Sequence, residues 1–465
     1  MENKINYGQG LFLLITTITI VLGGVLVVEA PTTIILITAG TVAIIFSLIW
    51  GIEWETIRED IFENLKAMFP AILILLSVGM LVGAWMLSGT VPIMIYYGLK
   101  ILTPSTLLVM SAIICALMSI MAGTSWGTIS TVGIALMGVS AGLGVPAHYT
   151  AGAIVVGAIF GDKLSPLSDT TVLASAVSKV DIVDHIKQML YTTLPSFIIS
   201  LIVFTVLGLR YSGGTIEGGE MTLILETLET TFNLNILLIL PPIVVLFLIY
   251  KGFSTIPVFG IGIILGGIFA GIFQGEGLLA ISNALMDGYS TSTNVDIVDN
   301  MLLRGGLSSM LGTVALLIGA GIFGSPLRTA GVIDLILDKM KKVSSSSRDI
   351  GLFTFVVHSI FFIITGSYYV TFTVLGPMVK PLYNEYDLSG TNLSRTLEAT
   401  GTALAPIIPW SVTGAFIAST LGVPTRQYFL YAPLTYLAPI FLLIYIITGY
   451  SVVKMKSSEK EKQAS

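Results

Sequence analysis

Long apolar runs separated by short polar segments recur along the whole chain. Each run holds about 20 residues, which is the length that a helix needs to cross the hydrocarbon core of a bilayer. Only helices and closed barrels satisfy their backbone groups in lipid, and barrel strands are about half as long, with alternating polarity. The pattern therefore predicts an all-α polytopic membrane protein of about ten spanning helices. Uninterrupted spans are predicted at 10–28, 32–51, 70–89, 188–208, 236–250, 255–274, 305–325 and 429–449.

The segment 52–66 has a different pattern, because it mixes charged and apolar residues. Its apolar residues Ile57, Ile61, Phe62 and Leu65 have the spacing of one helix face. Such a helix is typical of the membrane interface. We therefore expect it to lie along the bilayer surface without crossing it.

Two apolar regions, 104–145 and 350–383, are interrupted near their middles by small and polar residues. Ordinary spans lack such breaks, so we interpret both regions as re-entrant hairpins that enter and leave on one side. The tips, which we expect to line a substrate pocket, comprise Gly123, Thr124, Ser125, Gly366, Ser367 and Tyr368.

Two further apolar regions, 147–180 and 396–424, are interrupted by residues 161–171 and by residues 404–411. We interpret each as a discontinuous helix. The alternative for the first is a solvated loop between two spans, because its sequence is rich in Ser, Asp and Pro. The corresponding break in the second region lacks charge but keeps the proline, which favours the discontinuous helix.

The interruptions recur in the same order in the two halves of the chain. Leu164-x-Pro166 matches Leu404-x-Pro406, and Thr171-Val172 matches Ser411-Val412, both at an offset of 240 residues. Each half then has an odd number of crossings, so the second half would be inverted. Inverted repeats with helices broken at matching positions indicate a secondary transporter. The predicted division is a first repeat 1–210, an extracellular linker 211–235, a second repeat 236–450 and a basic cytoplasmic tail 451–465.

The distribution of the 22 lysines and arginines supports this topology. With the amino terminus in the cytoplasm, 17 of the 22 lie on the cytoplasmic side and Lys163 lies in the membrane, an asymmetry that fits the positive-inside rule. Both termini are therefore predicted to be cytoplasmic, in the plasma membrane of the cell. The basic residues left outside are Lys100, Arg210, Arg304 and Arg426.

Composition narrows the classes of protein that remain. The chain is 54% apolar and only 11% charged, whereas soluble proteins carry about 25% charged residues, so a soluble enzyme and a disordered chain are excluded. The net charge of −5, with scattered acidic groups, argues against a nucleic-acid partner. The single cysteine, Cys115, excludes an internal disulfide and a cysteine-based metal site.

The chemistry of the chain is concentrated in the first break. Asp162, Lys163 and Asp169 lie within eight residues of an otherwise apolar region, and each charge at the bilayer centre costs about 2.5–3.5 kcal/mol or more. The neighbouring hydroxyls add hard oxygen ligands, and no histidine or cysteine is near, so the set suits Na⁺ rather than a soft transition metal. These hydroxyl residues are Ser165, Ser168, Thr170 and Thr171.

The stretch Gly161-Asp162-Lys163-Leu164-Ser165-Pro166-Leu167-Ser168-Asp169-Thr170-Thr171 resembles the signature of the NhaC family of Na⁺/H⁺ antiporters. The stretch 405–411, followed by Gly414-Ala415-Phe416, is similar to the matching segment of that family. The resemblance implies an antiporter in which inward H⁺ drives Na⁺ out, and some members exchange malate and lactate. The wider superfamily implies an elevator-like motion and, by analogy, a homodimer. Val172 departs from the pattern, because relatives more often carry Asn there.

On this resemblance, Asp169 coordinates Na⁺ together with Ser168 and competes for a proton. Asp162 is the second candidate proton carrier, and Lys163 pairs with one of the two aspartates or substitutes for the cation in the empty site. Glu398 is a candidate proton relay, or simply a charge at a helix amino terminus. The expected cation and proton site comprises Asp162, Lys163, Ser165, Ser168, Asp169, Thr170, Thr171, Ser411 and Thr413. For each hydroxyl the alternative role is a hydrogen bond between helices.

Three other functions compete with Na⁺/H⁺ exchange. A Ser-Lys dyad of Ser165 and Lys163 would make an intramembrane hydrolase, but the two residues are poorly spaced for it. A passive channel rarely needs acidic and basic groups in one break. Exchange of a small carboxylate such as malate or lactate would favour an arginine or a helix amino terminus in mid-membrane. We therefore expect a transporter and not an enzyme, with Na⁺ and H⁺ as transported ions, the bilayer as its surroundings and no cofactor.

Overall fold

The computed structural model describes residues 5–28, 30–166, 168–210, 218–303, 305–332 and 346–455. These residues are predominantly helical, and among them no strand forms beyond one isolated bridge between Leu388 and Lys454. Leu167 of the first break, the start of the predicted linker and the residues after 455 of the predicted tail lie outside the described residues.

In the first half, the α-helices are Tyr7–Leu26, Thr32–Ile49, Trp54–Leu87, Thr90–Ile101, Pro104–Ala122, Ser125–Thr128, Ile134–Gly142, Ala147–Leu164, Asp169–Ser178 and Ile182–Arg210, with a π-helix at Ile129–Gly133. In the second half, they are Gly218–Thr231, Leu240–Tyr250, Thr255–Gln274, Leu278–Asp287, Asp296–Leu302, Leu311–Thr329, Ser347–Thr365, Tyr368–Glu385, Gly390–Thr400, Val412–Leu421, Thr425–Tyr428 and Pro433–Thr448. Short 3₁₀ turns lie at Ile236–Ile239, Leu307–Met310, Ala405–Ile407 and Phe429–Tyr431.

Eight of these helical segments are long and apolar enough to cross a membrane, and the number reaches ten if two bent pairs are each counted as one span. The bends are 96° between Thr222–Thr231 and Ile236–Tyr250, and 58° between Thr425–Tyr431 and Pro433–Thr448. The prediction of an all-α multi-pass membrane protein is confirmed.

The segment 52–66 does not form a separate helix, and its expected position at the membrane interface stays a prediction. One helix, Trp54–Leu87, includes that segment and the following span, with Pro70 inside it. The polar face of its first half packs on the helix Leu311–Thr329: Arg328 forms an ion pair with Asp60, and Asn64 donates a hydrogen bond of 3.3 Å to the Ser325 hydroxyl. These contacts hold the charged segment against another helix of the protein.

The first predicted hairpin turns back on itself. A Cβ atom on Gly157 would lie 2.2 Å from the Ala112 carbonyl oxygen, and one on Gly161 would lie 2.4 Å from that of Ala116. The helices Pro104–Ala122 and Ala147–Leu164 are therefore in close contact and run parallel. The intervening arm must return to the side where the hairpin began, and at its end Gly142 packs against Leu99. We call residues 104–142 the first hairpin.

The second hairpin, residues 347–385, has the same form. Tyr383 near its end lines one cavity with Ser347 and Gly351 near its start, so its two arms also begin and end together. At each tip a glycine ends the incoming helix in the left-handed conformation, with φ of 67° at Gly123 and 64° at Gly366. This is the residue and conformation that commonly terminate a helix, because glycine has no Cβ to clash.

Each hairpin is followed by a helix that is interrupted in its middle. The first broken helix consists of Ala147–Leu164 and Asp169–Ser178, and the second of Gly390–Thr400 and Val412–Leu421. In both, a serine caps the outgoing half, Ser168 in the first and Ser411 in the second. The order of hairpin and broken helix thus recurs in the two halves, and the inverted orientation of one half relative to the other stays a prediction.

Two apolar cores hold these elements. One surrounds the first hairpin and the incoming half of the first broken helix, and it includes Phe416 and Ile417 from the outgoing half of the second broken helix. The other surrounds the second hairpin and the incoming half of the second broken helix, and it includes Ala174 from the outgoing half of the first. Each core therefore contains residues of both broken helices.

Candidate functional site

A cavity of about 450 Å³ lies where the two hairpin tips meet the first broken helix. Pro70 of the long helix and the loop 252–255 form the opposite wall. The predicted site residues in its lining are Gly123, Thr124, Ser125, Asp162, Asp169, Ser367 and Tyr368. The structure therefore brings residues far apart in the sequence to one cavity, and both aspartates line it.

Asp162 lies in the last turn of the incoming half of the first broken helix and is buried. Its Oδ2 atom accepts a hydrogen bond of 3.0 Å from the Ser125 hydroxyl at the first hairpin tip. Its Oδ1 atom has no hydrogen-bond partner among the described residues. A buried carboxylate oxygen without a donor is poorly stabilised, and a bound proton or cation would satisfy it.

Asp169 is the first residue of the outgoing half, and its side chain is exposed at the cavity wall. Its Oδ1 atom accepts a hydrogen bond of 2.9 Å from the Thr170 backbone N–H. Its Oδ2 atom accepts a hydrogen bond from the Tyr369 hydroxyl, on the second hairpin. Asp169 thus connects the first break to the second hairpin tip while it remains accessible from the cavity.

The hydroxyls of the first break lie behind the cavity wall. The Ser168 hydroxyl oxygen is 3.0 Å from the Thr170 hydroxyl oxygen and accepts the Thr171 backbone N–H at 3.5 Å. The Thr171 hydroxyl donates to the Asp162 carbonyl oxygen at 3.2 Å. Ser165 donates its backbone N–H to the same oxygen. These contacts satisfy the backbone groups that the break leaves unpaired, so the hydroxyls fix the geometry around the two aspartates.

The two predicted site residues at the second break, Ser411 and Thr413, differ in their hydrogen bonding. The Ser411 hydroxyl accepts the Gly414 backbone N–H at 2.8 Å and donates to the Ala405 carbonyl oxygen at 2.5 Å, so it is fully used as a helix cap. The Thr413 hydroxyl is buried and has no hydrogen-bond partner among the described residues. Neither residue is in the lining of the cavity.

Lys163 forms its ion pair with Glu398 and not with either aspartate. Its Nζ atom donates to Glu398 Oε2 at 2.9 Å, to the Glu398 carbonyl oxygen at 2.8 Å and to the Thr402 hydroxyl at 2.7 Å. Lys163 and Glu398 are both buried, and the Thr402 hydroxyl also bonds the Glu398 carboxylate. The expected pairing of Lys163 with Asp162 or Asp169 is therefore wrong, and the pair joins the two broken helices.

Because Lys163 pairs with Glu398, its positive charge does not neutralise the aspartates of the cavity. An ammonium group has three N–H donors, and all three are engaged by Glu398 and Thr402. Among the described residues that line the cavity there is no lysine or arginine, so the two aspartates have no cationic partner in that lining. The arrangement therefore favours a cation or protons over an anion.

The two hairpin tips are also attached to the second break. The Val412 backbone N–H donates to the Gly366 carbonyl oxygen at 3.0 Å, and the Trp410 indole donates to the Ile363 carbonyl oxygen at 2.7 Å. Trp126 at the first tip stacks on Phe416, with ring centroids 4.3 Å apart. Hairpins and broken helices consequently form one connected unit around the cavity.

Sequence reasoning missed Thr402 as a member of the site, and it missed the contact between Tyr369 and Asp169. Thr402 follows Glu398 by four residues, and this spacing places the two on one helix face. Tyr369 directly follows a predicted tip residue, but its contact with Asp169, 200 residues away, has no signal in the local sequence.

Among the described residues no group of three or more His, Cys, Asp or Glu side chains could hold a metal ion. An alkali cation needs no such cluster, since carboxylate, hydroxyl and carbonyl oxygens are suitable hard ligands for it. The cavity offers oxygens of this kind on Asp162, Asp169, Thr124 and Ser125. The donor set therefore fits a hard monovalent cation as a transported ion.

Comparisons with known proteins agree with this chemistry. The model of the Na⁺/H⁺ antiporter family matches residues 8–176 and 157–450. The chain is 35% identical to the Na⁺/H⁺ antiporter NhaC of Alkalihalophilus pseudofirmus, covering 98% of this chain and 99% of that protein. It is 36% identical to the malate-2H⁺/Na⁺-lactate antiporter of Bacillus subtilis, covering 93% and 92% of the two chains. It is also 36% identical to the arginine/ornithine antiporter ArcD of Halobacterium salinarum, covering 90% and 86%.

Proposed function

Because the chain belongs to the Na⁺/H⁺ antiporter family, we propose that it is a secondary antiporter that exchanges cytoplasmic Na⁺ for external H⁺ by alternating access. The observation that carries the proposal is the cavity shared by Asp162 and Asp169, in which the described lining residues include no basic side chain. A carboxylate that accepts either a proton or a metal ion cannot hold both at once. Competition at such a group makes the movement of one ion depend on the release of the other.

We assign the central role to Asp169, because its carboxylate is exposed at the cavity wall. Na⁺ would bind there with oxygens of the break, Ser168 among them, and would displace the proton. Asp162, buried and with one oxygen unpartnered among the described residues, would carry the second exchangeable proton. Ser125 and Tyr369 donate hydrogen bonds to these carboxylates and hold them in position.

Glu398 and Lys163 have a different role in this proposal. Their buried ion pair joins the two broken helices, so the two breaks would move as one body when the site changes the side to which it opens. The three acceptors around Lys163 also leave its ammonium unsuited to act as a base for Ser165, which argues against the hydrolase. A proton relay through Glu398 would need this pair to separate.

Exchange of a small carboxylate is the second candidate function. One relative is named as a malate-2H⁺/Na⁺-lactate antiporter, and the cavity of about 450 Å³ is far larger than one Na⁺ needs. Pockets of about 300–1,000 Å³ are typical for small organic ligands. In that case the carboxylate substrate would enter together with Na⁺ or H⁺, which would offset the charge of the aspartates.

We further propose that the protein lies in the plasma membrane with both termini in the cytoplasm. The loop 252–255, which forms part of the cavity wall, directly follows Lys251. The positive-inside rule assigns this basic loop to the cytoplasmic side. The cavity in this structure would then face the cytoplasm.

Everted membrane vesicles from a host without its own Na⁺/H⁺ antiporters test the proposal. After respiration acidifies the lumen, added Na⁺ should collapse the pH gradient, because Na⁺ enters as H⁺ leaves. Asp169→Asn should abolish this response, since an amide cannot exchange a proton for a cation, whereas Asp296→Asn, at an exposed position outside the cavity, should keep it. Full activity of Asp169→Asn would contradict the assigned role. A response that also needs added malate or lactate would favour the second candidate.

A further inference from the structure

A second cavity of about 500 Å³ lies at the base of the second hairpin, between the first turns of the second broken helix and the end of the last helix. It shares no lining residue with the cavity that holds the two aspartates. Its polar lining includes Arg395, Arg348, Tyr383, Asn392 and Thr396. None of these residues has a role in the cation exchange proposed above.

Arg395 is the most unusual of them, because its guanidinium is buried and no carboxylate of a described residue pairs with it. The side chain is 1% exposed, and none of the ion pairs formed by the described residues includes it. Its Nη1 atom donates to the Ser451 hydroxyl at 2.6 Å, and its Nε atom has no hydrogen-bond partner among the described residues. A buried charge left unpaired is costly, so a partner of opposite charge is expected.

The groups around Arg395 also point to a ligand. The Tyr383 hydroxyl is buried at the cavity with the Thr354 and Thr396 hydroxyls near it, but it makes no hydrogen bond of regular geometry to a described residue, so its proton can be donated to a ligand. Arg348 is exposed at the edge and adds a second positive charge, while Asp349 contributes one carboxylate to the same wall. Basic groups therefore outnumber acidic ones in the lining.

The segment after the last helix closes one side of this cavity. Asn392 donates from Nδ2 to the Val453 carbonyl oxygen at 2.6 Å, and its Oδ1 atom accepts the Val453 backbone N–H at 3.0 Å. Gln188 donates to the Ser451 carbonyl oxygen at 2.6 Å. These bonds fix the segment against the second broken helix. The wall of the cavity that places Ser451 next to Arg395 is therefore held in a defined position.

We propose that this cavity binds a small oxyanion, a carboxylate or a phosphate group, with the Arg395 guanidinium as its main ligand and the Tyr383 hydroxyl as a second donor. The planar guanidinium matches the geometry of both anions and can donate two parallel hydrogen bonds to either. The volume suits a small organic acid. Two sources share this chemistry: a soluble anion and the headgroup of an anionic lipid.

The soluble source is tested on the purified full-length protein in neutral detergent, at fixed pH and Na⁺ concentration. Malate, lactate and inorganic phosphate are titrated by calorimetry and by their effect on the melting temperature, with chloride at equal ionic strength as reference. Arg395→Gln should raise the dissociation constant roughly tenfold or more, because a charge-assisted bidentate contact is lost. Tyr383→Phe should raise it a few-fold, and Arg58→Gln, which removes an exposed charge outside the cavity, should leave it unchanged.

The lipid source is tested with the same variants in nanodiscs of phosphatidylcholine alone or with phosphatidylglycerol. Stabilisation by phosphatidylglycerol that Arg395→Gln and Tyr383→Phe weaken identifies a headgroup as the occupant. The proposal is overturned if no anion from either source distinguishes the wild type from these variants, or if chloride is as effective as the oxyanions. If Arg395→Gln fails to fold, the proposal is tested with Tyr383→Phe alone, which removes only one hydroxyl. None of these measurements depends on Na⁺/H⁺ exchange.

Discussion

At the scale of single residues, charged side chains that are adjacent in the sequence have different roles because they point in different directions. Asp162 and Lys163 are adjacent in the sequence, yet Asp162 faces the cavity and Lys163 is bonded to Glu398 on another helix. Successive residues on a helix point about 100° apart, so a cluster of charges that is compact in the sequence is divided in space. Because Lys163 pairs with Glu398, it does not neutralise the two aspartates, and their carboxylates are available for ion exchange.

Lys163→Met should strongly destabilise the protein, because it leaves the Glu398 carboxylate buried and uncompensated. Removing one partner of a buried ion pair costs about 3–5 kcal/mol. The double variant Lys163→Met/Glu398→Met should recover much of that loss, because it removes both charges. Thermal unfolding of the purified protein measures the effect, and Lys187→Met, at an exposed lysine, is the control. A double variant no more stable than Lys163→Met would show that the pair does not act as a unit.

The sequence predicted which residue types gather at the first break but not their partners. The cluster of Asp162 and Asp169 can be recognised in the sequence, because charged side chains are unfavourable in lipid and therefore rare in apolar segments. The partners of Lys163 and Asp169 are Glu398 and Tyr369, each at least 200 residues away. Contacts over such separations depend on helix packing, which local patterns do not encode. The roles of the individual site residues stay predictions.

At the scale of elements, the two hairpins depend on glycine at their tips. Gly123 and Gly366 both have positive φ, which residues with a side chain rarely adopt. Gly366 is also confined by the second break, because a Cβ atom there would lie 2.9 Å from the Trp410 carbonyl oxygen. The tip can therefore approach the second broken helix only without a side chain.

Gly366→Ala should impair transport, since it strains the tip and displaces it from Val412, whose N–H bonds the Gly366 carbonyl. The expected result is a lower maximal rate in everted vesicles and a melting temperature a few degrees lower. Gly260→Ala is the matched control, because that glycine lies in a helix with open space where the Cβ would be. Equal effects of the two substitutions would mean that the tip geometry does not matter.

Element boundaries were largely predictable from hydrophobicity, with one instructive exception. The predicted spans 32–51 and 255–274 correspond to the helices Thr32–Ile49 and Thr255–Gln274. The break expected between the charged segment 52–66 and the following span is absent, because Pro70 is accommodated inside one continuous helix. The polarity of a segment indicates which surroundings it prefers, but the element it packs against determines whether it forms part of a longer helix. Here the residues it packs against are 257 residues or more away in the sequence.

At the scale of the whole molecule, the repeated order of hairpin and broken helix places both tips, the first break and Val412 of the second broken helix around a single cavity. Neither half could form that cavity alone, since its lining includes Asp162 from the first half and Ser367 from the second. The opposite orientation of the halves and the homodimer stay predictions.

The orientation of the chain can be tested with single cysteines, because Cys115 is buried and its replacement gives a background without thiols. Ser254→Cys should react with a membrane-impermeant maleimide in everted vesicles and not in intact cells, since its loop is assigned to the cytoplasm. Glu276→Cys, in the next loop along the chain, should show the reverse. The same labelling pattern for both positions would contradict the predicted topology.

The central claim is that Na⁺ and H⁺ compete for the carboxylates of one cavity, and the pH dependence of Na⁺ activation tests it most directly. In proteoliposomes of the purified protein, the Na⁺ concentration for half-maximal exchange should rise by up to about tenfold for each unit of decreasing pH and each competing proton. The sign follows from competition, since more protons require more Na⁺ to displace them. A half-maximal Na⁺ concentration that is independent of pH from 6 to 9 would contradict the shared site.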